Sequence, residues 1–287
     1  MDNFVKGVII MVNNKYMLKE TLKEIKNNDF KVPNDLNPFE LALKMMEHVG
    51  DSDPELRDML IYEILSKWII DGAFTFEQLK ELLNISLDED HLFYKIGEEE
   101  TDSVFTRSFS VLIVAAIIYF HRKESFLSES ELKNVKEKTV GYMICEKDVR
   151  GYVKDKGWAH SAAHTADVLD ELAQCESIEY KDLLDILEAI KTKVCINNYC
   201  YVNQEDERMA VAIISVINRN LLNNKEIANW IKSFEDAKKA NHYPEDHNLL
   251  INIKNFLRSI YFRLIYENNS EVISEAIKET LYKIKTF

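Results

Sequence analysis

The scarcity of glycine and proline restricts the fold of this sequence more than any other feature. Its 287 residues include only seven glycines and four prolines. Tight turns between strands depend on these two residues, because glycine tolerates positive φ and proline holds φ near the value that many turns need. The sequence therefore argues against an all-β fold. Its hydrophobic content of 46% is enough to build a substantial core.

Signals for the start of a helix recur along the chain. Asn37-Pro38 and Asp53-Pro54 each place a capping side chain before a proline, which is favourable at the first helical position. Three other segments have the spacing of a capping box, in which the first and last side chains bond each other's backbone N–H group. They are Thr75–Gln78, Ser86–Glu89 and Ser128–Glu131. Each of the five signals predicts a helix.

Apolar residues between these signals recur every three or four positions, as they do along the buried face of a helix. Leu56, Leu60, Ile64 and Trp68 form one such series. The longest apolar run, Val111–Phe120, is shorter than the roughly 20 residues needed to cross a bilayer and predicts a buried helix. Further helices are predicted at 102–122, 158–174, 206–222, 225–238, 247–267 and 270–284.

The number and spacing of the predicted helices favour a repeat architecture. Two consecutive helices with a short connection occupy about 35 to 45 residues, the size of a HEAT-type or armadillo-type unit. We therefore predict an all-α fold, an α-α superhelix of stacked helix pairs with little or no strand. No linker rich in serine, glycine or proline divides the chain, so residues 1–287 are predicted to form one domain, with the acidic segment 96–101 as the best candidate boundary. The sequence contains no repeated consensus, and a globular helical bundle is the alternative.

Charge and cysteine content indicate the compartment and the partners. A formal charge of -13 argues against nucleic acid and against an anionic membrane as partners, since both would repel the protein at long range. Four cysteines without a CxxC pair are typical of reduced thiols in the cytoplasm. The apolar segment Phe4–Val12 is short and is predicted to be a packed strand or helix start, not a signal sequence.

The polar segment Asp148–Asp167 departs from this regular pattern. Three of the seven glycines lie within Gly141–Gly157, which indicates a shaped loop leading into a helix that begins near Gly157. On such a helix His160, His164 and Asp167 fall at positions i, i+4 and i+7, so that their side chains share one face. This segment is the candidate functional site.

A metal site is one interpretation of that segment. Two neutral imidazoles and a carboxylate suit zinc, manganese or iron, and a metal at His160, His164 and Asp167 would polarise water for hydrolysis. Glu205 could then supply a further ligand or a base, or orient a histidine. The pattern lacks the internal glutamate of the HExxH peptidases.

Anion binding is a second interpretation, and a structural role is a third. Arg150, Lys154, Lys156 and the two histidines could surround a phosphate or carboxylate at the helix start. In the structural interpretation Asp148 pairs with Arg150 or caps the loop, Trp158 fills the core, and the histidines bond acids of a neighbouring helix. Glu205 and Arg107 then act locally, through the helix dipole and a nearby acid. The candidate ligand-binding residues are Arg107, Asp148, Arg150, Trp158 and Glu205.

Four blocks in the middle half of the chain carry a family resemblance. They are Asp102–Phe109, Asp148–Gly151, Gly157–Asp167 and Glu205–Arg208, and the stretch GWAHSAAH in the third is the most specific. In this order the blocks resemble an uncharacterised bacterial family, domain of unknown function 2785. The resemblance implies a helical-repeat fold and a shared polar constellation, but no established reaction. That constellation comprises Arg107, Asp148, Arg150, His160, His164, Asp167 and Glu205.

Three functions are compatible with these features. The first is a scaffold or interaction protein that binds a protein or peptide partner on the concave face of the stacked helices. The second is a metal-dependent hydrolase that uses His160, His164 and Asp167. The third is a sensor that binds a small anionic ligand at Arg150 and the histidine pair.

Overall fold

The computed structural model of the protein describes residues 14–266 and 271–284. These residues form twelve α-helices and one two-stranded hairpin, and 67% of them are helical. The prediction of an all-α fold with little strand is therefore confirmed. The segment Phe4–Val12 lies outside the described residues.

The described residues divide into two compact units. The first contains the residues up to Leu127 together with Tyr152–Ala159. Its π-helical segment Glu55–Tyr62 leads directly into the third α-helix. The elements of this unit are α1 (Lys15–Asn27), α2 (Pro38–Met46), α3 (Glu63–Ile70), α4 (Phe76–Ser86), α5 (Ser103–Lys123), β1 (Tyr152–Val153) and β2 (Gly157–Trp158).

The second unit contains Ser128–Gly151 and the described residues from His160 onward. A 3₁₀ turn, Ser233–Asp236, extends its fifth helix. That all 287 residues form one domain stays a prediction. The helices of this unit are α6 (Glu129–Cys145), α7 (Ser161–Ala173), α8 (Tyr180–Val194), α9 (Glu205–Asn218), α10 (Asn224–Lys232), α11 (Glu245–Tyr266) and α12 (Glu271–Lys283).

Most of the predicted helix starts are present. Asn37 Oδ1 accepts the first amides of α2, Asp53 Oδ1 accepts those that open the π-helical segment, and Thr75 and Ser128 form reciprocal capping boxes. The start predicted at Ser86 is wrong. Ser86 is the last residue of α4, and its hydroxyl donates to the carbonyl of the preceding turn, at 2.8 Å. A serine that bonds its own helix in this way cannot cap the next one.

Helix α5 is the core helix of the first unit. It is long and apolar enough to span a membrane, but its most apolar 18 residues, with a mean hydropathy of 1.8, are 83% buried inside the protein. It packs against α3 and α4, and Val111, Ile113 and Ile117 are fully buried. The prediction of a buried helix at Val111–Phe120 is confirmed.

The acidic segment 96–101 is tied to α5 and is not a boundary between the units. Arg107 of α5 is fully buried, and its guanidinium donates to the carbonyls of Tyr94 at 3.0 Å and Glu98 at 3.3 Å. Ser103 also donates to the Glu98 carboxylate, at 2.9 Å. The sequence suggested a boundary here because acidic residues surround a glycine, but a buried arginine holds the segment in place.

Helices of the second unit pack mainly on the helix two places along the chain. α7, α9 and α11 form one layer, and residue numbers rise together on both sides of each contact, so the three helices run in the same direction. The contacts are Asp167–Arg208 and Asp170–Ser215 between α7 and α9, and Asp206–Ser259 and Glu207–Arg263 between α9 and α11.

Among the remaining helices of this unit, α6 packs on α8 and α10 packs on α12, whereas α8 and α10 meet mainly through two side-chain hydrogen bonds. α6, α8, α10 and α12 also run in one direction, because their contacts again rise together in residue number. These contacts are Lys133–Glu179 and Lys136–Asp182, then Tyr180–Glu226 and Lys191–Ser233, then Lys232–Glu279 and Glu235–Lys283. The second unit thus consists of two sets of parallel helices that alternate along the chain.

Candidate functional site

The candidate segment begins with a hairpin and not with a helix. Tyr152–Val153 pairs antiparallel with Gly157–Trp158, and α7 begins only at Ser161. Asp155 and Gly157 have φ values of 63° and 79°, and His160 has 51°, all in the left-handed region that a right-handed helix excludes. The prediction that the helix starts near Gly157 is therefore wrong, because the backbone turns twice before the helix forms.

A buried arginine that the sequence did not single out anchors this hairpin within the first unit. Arg57 is fully buried, and its guanidinium donates to the carbonyls of Lys156 at 2.5 Å and Asp51 at 2.6 Å. Its carbon centre lies 4.1 Å from the ring centroid of Phe105, a cation–π contact. In sequence Arg57 looks like an ordinary charge on an amphipathic helix, and nothing local marks it as buried.

An ion pair accompanies this anchor. Arg57 Nε lies 2.7 Å from Asp58 Oδ1. Burial raises the pKa of Asp58, and the neighbouring guanidinium opposes that shift. Burial also lowers the pKa of Arg57. The two charges therefore depend on each other.

Trp158 is an exposed residue of the hairpin. Its exposed fraction is 39%, and its ring meets that of Tyr152, which is 57% exposed, edge to face at 5.1 Å. The interpretation that Trp158 fills the core is wrong, because alternate residues of a strand point to opposite sides and the buried position falls to Gly157.

The ion pair expected between Asp148 and Arg150 is present in the second unit. The Asp148 carboxylate is buried and accepts Arg150 Nε at 2.8 Å and Nη2 at 2.6 Å, a fork-shaped arrangement. Ser161, the first residue of α7, donates its hydroxyl to the Asp148 carbonyl at 2.6 Å. Asp148 thus joins the loop to α7 and neutralises Arg150.

Gly151 lies where the loop passes closest to the start of α9. A Cβ atom at this position would meet Asn203 Oδ1 at 2.2 Å and Glu205 Oε1 at 2.6 Å. Real Cβ atoms do not approach other atoms so closely, so a side chain here would push the loop away from α9.

Gly151→Ala is therefore expected to lower the free energy of unfolding by about 1–3 kcal/mol. Gly141 is the matched control, since it lies inside α6 and a Cβ there would meet nothing within 4 Å. Gly141→Ala should raise the free energy of unfolding by about 0.5–1 kcal/mol, because alanine restricts the unfolded chain. Urea unfolding of both variants checks this, and changes of the same sign would contradict it.

His160 and Glu205 meet at this junction. His160 Nε2 lies 3.0 Å from the Asn203 carbonyl and 3.5 Å from Glu205 Oε1. Because a carbonyl only accepts hydrogen bonds, Nε2 carries a proton. Glu205 is fully buried; its Oε2 accepts the Asn203 amide at 2.8 Å, whereas Oε1 has no donor in hydrogen-bond geometry among residues 14–266 and 271–284.

Two of the three proposed metal ligands are engaged by other groups. The His160 and His164 rings are 5.6 Å apart. His160 uses Nε2 as a donor, and Asp167 binds Arg208 with both carboxylate oxygens. Burial raises the pKa of Asp167, and Arg208 opposes this shift. Within the described part of the chain, no three or more His, Cys, Asp or Glu side chains are placed to hold a metal ion.

The remaining candidates fall in different units. Arg107 and Trp158 belong to the first unit, and Asp148, Arg150 and Glu205 to the second. Arg107 binds backbone carbonyls of its own unit and Ser103 Oγ at 2.8 Å. The charge was expected to pair with an acid or be solvated; near the start of α5 it is buried and binds carbonyls, with the charge of the Glu98 carboxylate nearby.

A buried lysine lies near the candidate segment. Lys193 of α8 donates to the Glu146 carbonyl at 2.5 Å, and Tyr201 donates its hydroxyl to the Lys193 carbonyl at 3.0 Å. Burial lowers the pKa of Lys193 to about 8, although the nearby charges of Glu146 and Cys145 oppose this. Nothing in the sequence marks Lys193 as buried, because it stands among polar residues of an amphipathic helix.

A groove of about 570 Å³ opens beside α9, and we refer to it as the α9–α11 groove. Its walls come from the loop before α9, the first two turns of α9, and α11. The lining residues are Tyr201, Val202, Gln204, Asp206, Glu207, Arg208, Val211, Asn255 and Arg263. Nothing in the sequence marks this groove, because α11 lies some fifty residues away from the start of α9.

Comparison with known proteins identifies a family. A family model described as "Protein of unknown function (DUF2785)" matches residues 92–262, which is more than half of the chain. No curated protein and no solved structure matches the sequence. The matched region contains the candidate segment, α9 and most of α11. The chain therefore belongs to the family of proteins of unknown function DUF2785.

Proposed function

We propose that this protein is a cytoplasmic helical-repeat scaffold that binds a protein partner on the surface of its stacked helices. The observation that carries the proposal is the packing of the second unit. Apart from α8 and α10, helices two places apart pack on each other and run in the same direction, as in α-α superhelices, which use such layers as extended binding surfaces. The first unit supports it as well, since α1 contacts α3, α2 contacts α4, and α3 contacts α5.

The state of the charged candidates favours a scaffold over the two alternatives. A sensor for small anions needs Arg150, which is bound by the buried Asp148 carboxylate. A metal-dependent hydrolase needs His160 and Asp167, which are engaged by Asn203 and Arg208. The Asp167–Arg208 ion pair joins α7 to α9, and such a contact fixes the spacing of a stack, which is what a scaffold requires.

Overall charge supports a protein partner. At -13 the chain repels nucleic acid and anionic lipid, and it attracts basic surfaces at long range. Protein or peptide partners of complementary charge are therefore favoured.

Metal analysis of the untagged protein tests this proposal against the hydrolase. We expect less than stoichiometric zinc, manganese or iron, and the same content in a His160→Ala, His164→Ala double variant. His242→Ala, His247→Ala is the matched control, because both of its histidines lie near the start of α11. Stoichiometric metal that is lost only from the first double variant would contradict the scaffold proposal.

A further inference from the structure

We infer that the α9–α11 groove is the docking site for a basic, extended peptide segment of the protein partner, an inference that rests on the proposed scaffold function. The groove has about 570 Å³, within the range of sites that hold a few residues of a ligand. It lies across two parallel helices of one layer, so an occupant that contacts both must cross them. An extended chain can do this with successive side chains.

The apolar part of the groove suits the stem of a long basic side chain. Val202, in the loop before α9, is 72% exposed and lines the groove together with Val211 of α9. Lysine and arginine place their methylene groups on such surfaces while the charged head reaches polar atoms beyond.

Carboxylates lie next to this apolar surface in the first turn of α9. Asp206 Oδ2 accepts the Ser259 hydroxyl at 3.0 Å, and Glu207 Oε2 accepts Arg263 Nη2 at 2.6 Å. An incoming lysine or arginine can bind either carboxylate without breaking these contacts, because each carboxylate has room for about four hydrogen bonds.

An acidic segment would find no such available partners, because it would have to compete with carboxylates of the protein. The two groove arginines already bind carboxylates of the protein, Arg208 that of Asp167 and Arg263 that of Glu207. An acidic ligand would have to displace these partners and approach a chain of charge -13. Charge complementarity therefore selects a basic occupant.

Two amide side chains complete the groove. Gln204 precedes α9 and Asn255 lies on α11, so they belong to different walls. A primary amide both donates and accepts, which matches the alternating N–H and C=O groups of an extended peptide backbone. These contacts hold the chain, and the carboxylates select its side chains.

Photo-crosslinking in cells tests the location. A photoreactive amino acid is placed in the full-length protein at Val202 or Val211 in the groove, or at exposed Ile144 of α6 as a control. We expect a partner cross-linked from the groove positions only, and mass spectrometry should identify the attached segment as rich in lysine or arginine. Cross-links from Ile144 but not from the groove would overturn the inference and leave the scaffold proposal standing. An acidic attached segment would also overturn it.

Two double variants, each of which removes two negative charges, test whether the groove carboxylates bind the basic segment. A synthetic peptide of the cross-linked segment should bind Asp206→Asn, Glu207→Gln about tenfold more weakly than the native protein. It should bind Glu271→Gln, Glu275→Gln on α12 with less than about twofold loss. Equal weakening by both pairs would show attraction to overall charge and overturn the docking site. If no position yielded a cross-linked protein, that result would contradict the scaffold function itself.

Discussion

Arg57→Ala is expected to lower the free energy of unfolding by about 3–5 kcal/mol, the cost of leaving a buried charge without its partner. The substitution strips the Asp58 carboxylate of its ion pair and the carbonyls of Asp51 and Lys156 of their donor. It also empties the space beside Phe105, where the guanidinium packs on the ring. Urea unfolding followed by circular dichroism measures the loss.

Lys67→Ala is the control for that prediction. Lys67 forms an exposed ion pair with Asp71 on α3 of the same unit, at 2.7 Å, and such pairs contribute roughly 0.5 kcal/mol or less. If Arg57→Ala cost no more than Lys67→Ala, Arg57 would not be the anchor of the hairpin. A second check is the fluorescence emission spectrum of Trp158. The surroundings of this residue should change in Arg57→Ala and stay constant in Lys67→Ala.

Lys193 is expected to make the protein more stable as the pH rises from about 8 to 10.5. Its pKa is about 8 in the folded protein, against an ordinary value of 10.5. Across this interval the unfolded chain therefore binds more protons at this site than the folded one, and the free energy of unfolding increases with pH. The full difference corresponds to about 3 kcal/mol.

Lys193→Met should remove this dependence. Below about pH 8 the native protein carries the whole cost of a buried ammonium, so the variant should there gain most in free energy of unfolding relative to the native protein. Part of this gain is offset because the hydrogen bond to the Glu146 carbonyl is lost. Exposed Lys181 on the same helix supplies the control, Lys181→Met. Parallel curves of unfolding free energy against pH for native protein and Lys193→Met would refute the prediction.

Local signals predicted most helix starts because the atoms they involve lie within four residues. Asn37, Thr75 and Ser128 cap the helices that follow them, as their spacing indicated. Ser86 has equally good spacing but ends a helix. A serine hydroxyl can accept an N–H group of the helix that follows or donate to the carbonyl one turn earlier. Only the packed structure decides between these two hydrogen bonds.

The candidate segment shows the same limit. Its histidines, Asp148 and Arg150 were identified from sequence, and the Asp148–Arg150 pair is local enough to be anticipated. The hairpin was not, because it depends on positive φ at Asp155 and on Arg57, about a hundred residues away. Propensity in a short window carries no information about such a contact.

The sequence by itself determined that the chain is helical, where most helices begin, and which segment departs from the pattern, because caps, apolar spacing and glycine content act over one or two turns. Only the tertiary structure decided what the polar residues contact. It buried Arg57, Arg107 and Lys193 and brought α9 beside α11 to form the groove. The physical reason is that a charge is stabilised by whatever partners the fold places within a few ångströms, and those partners come from distant parts of the chain.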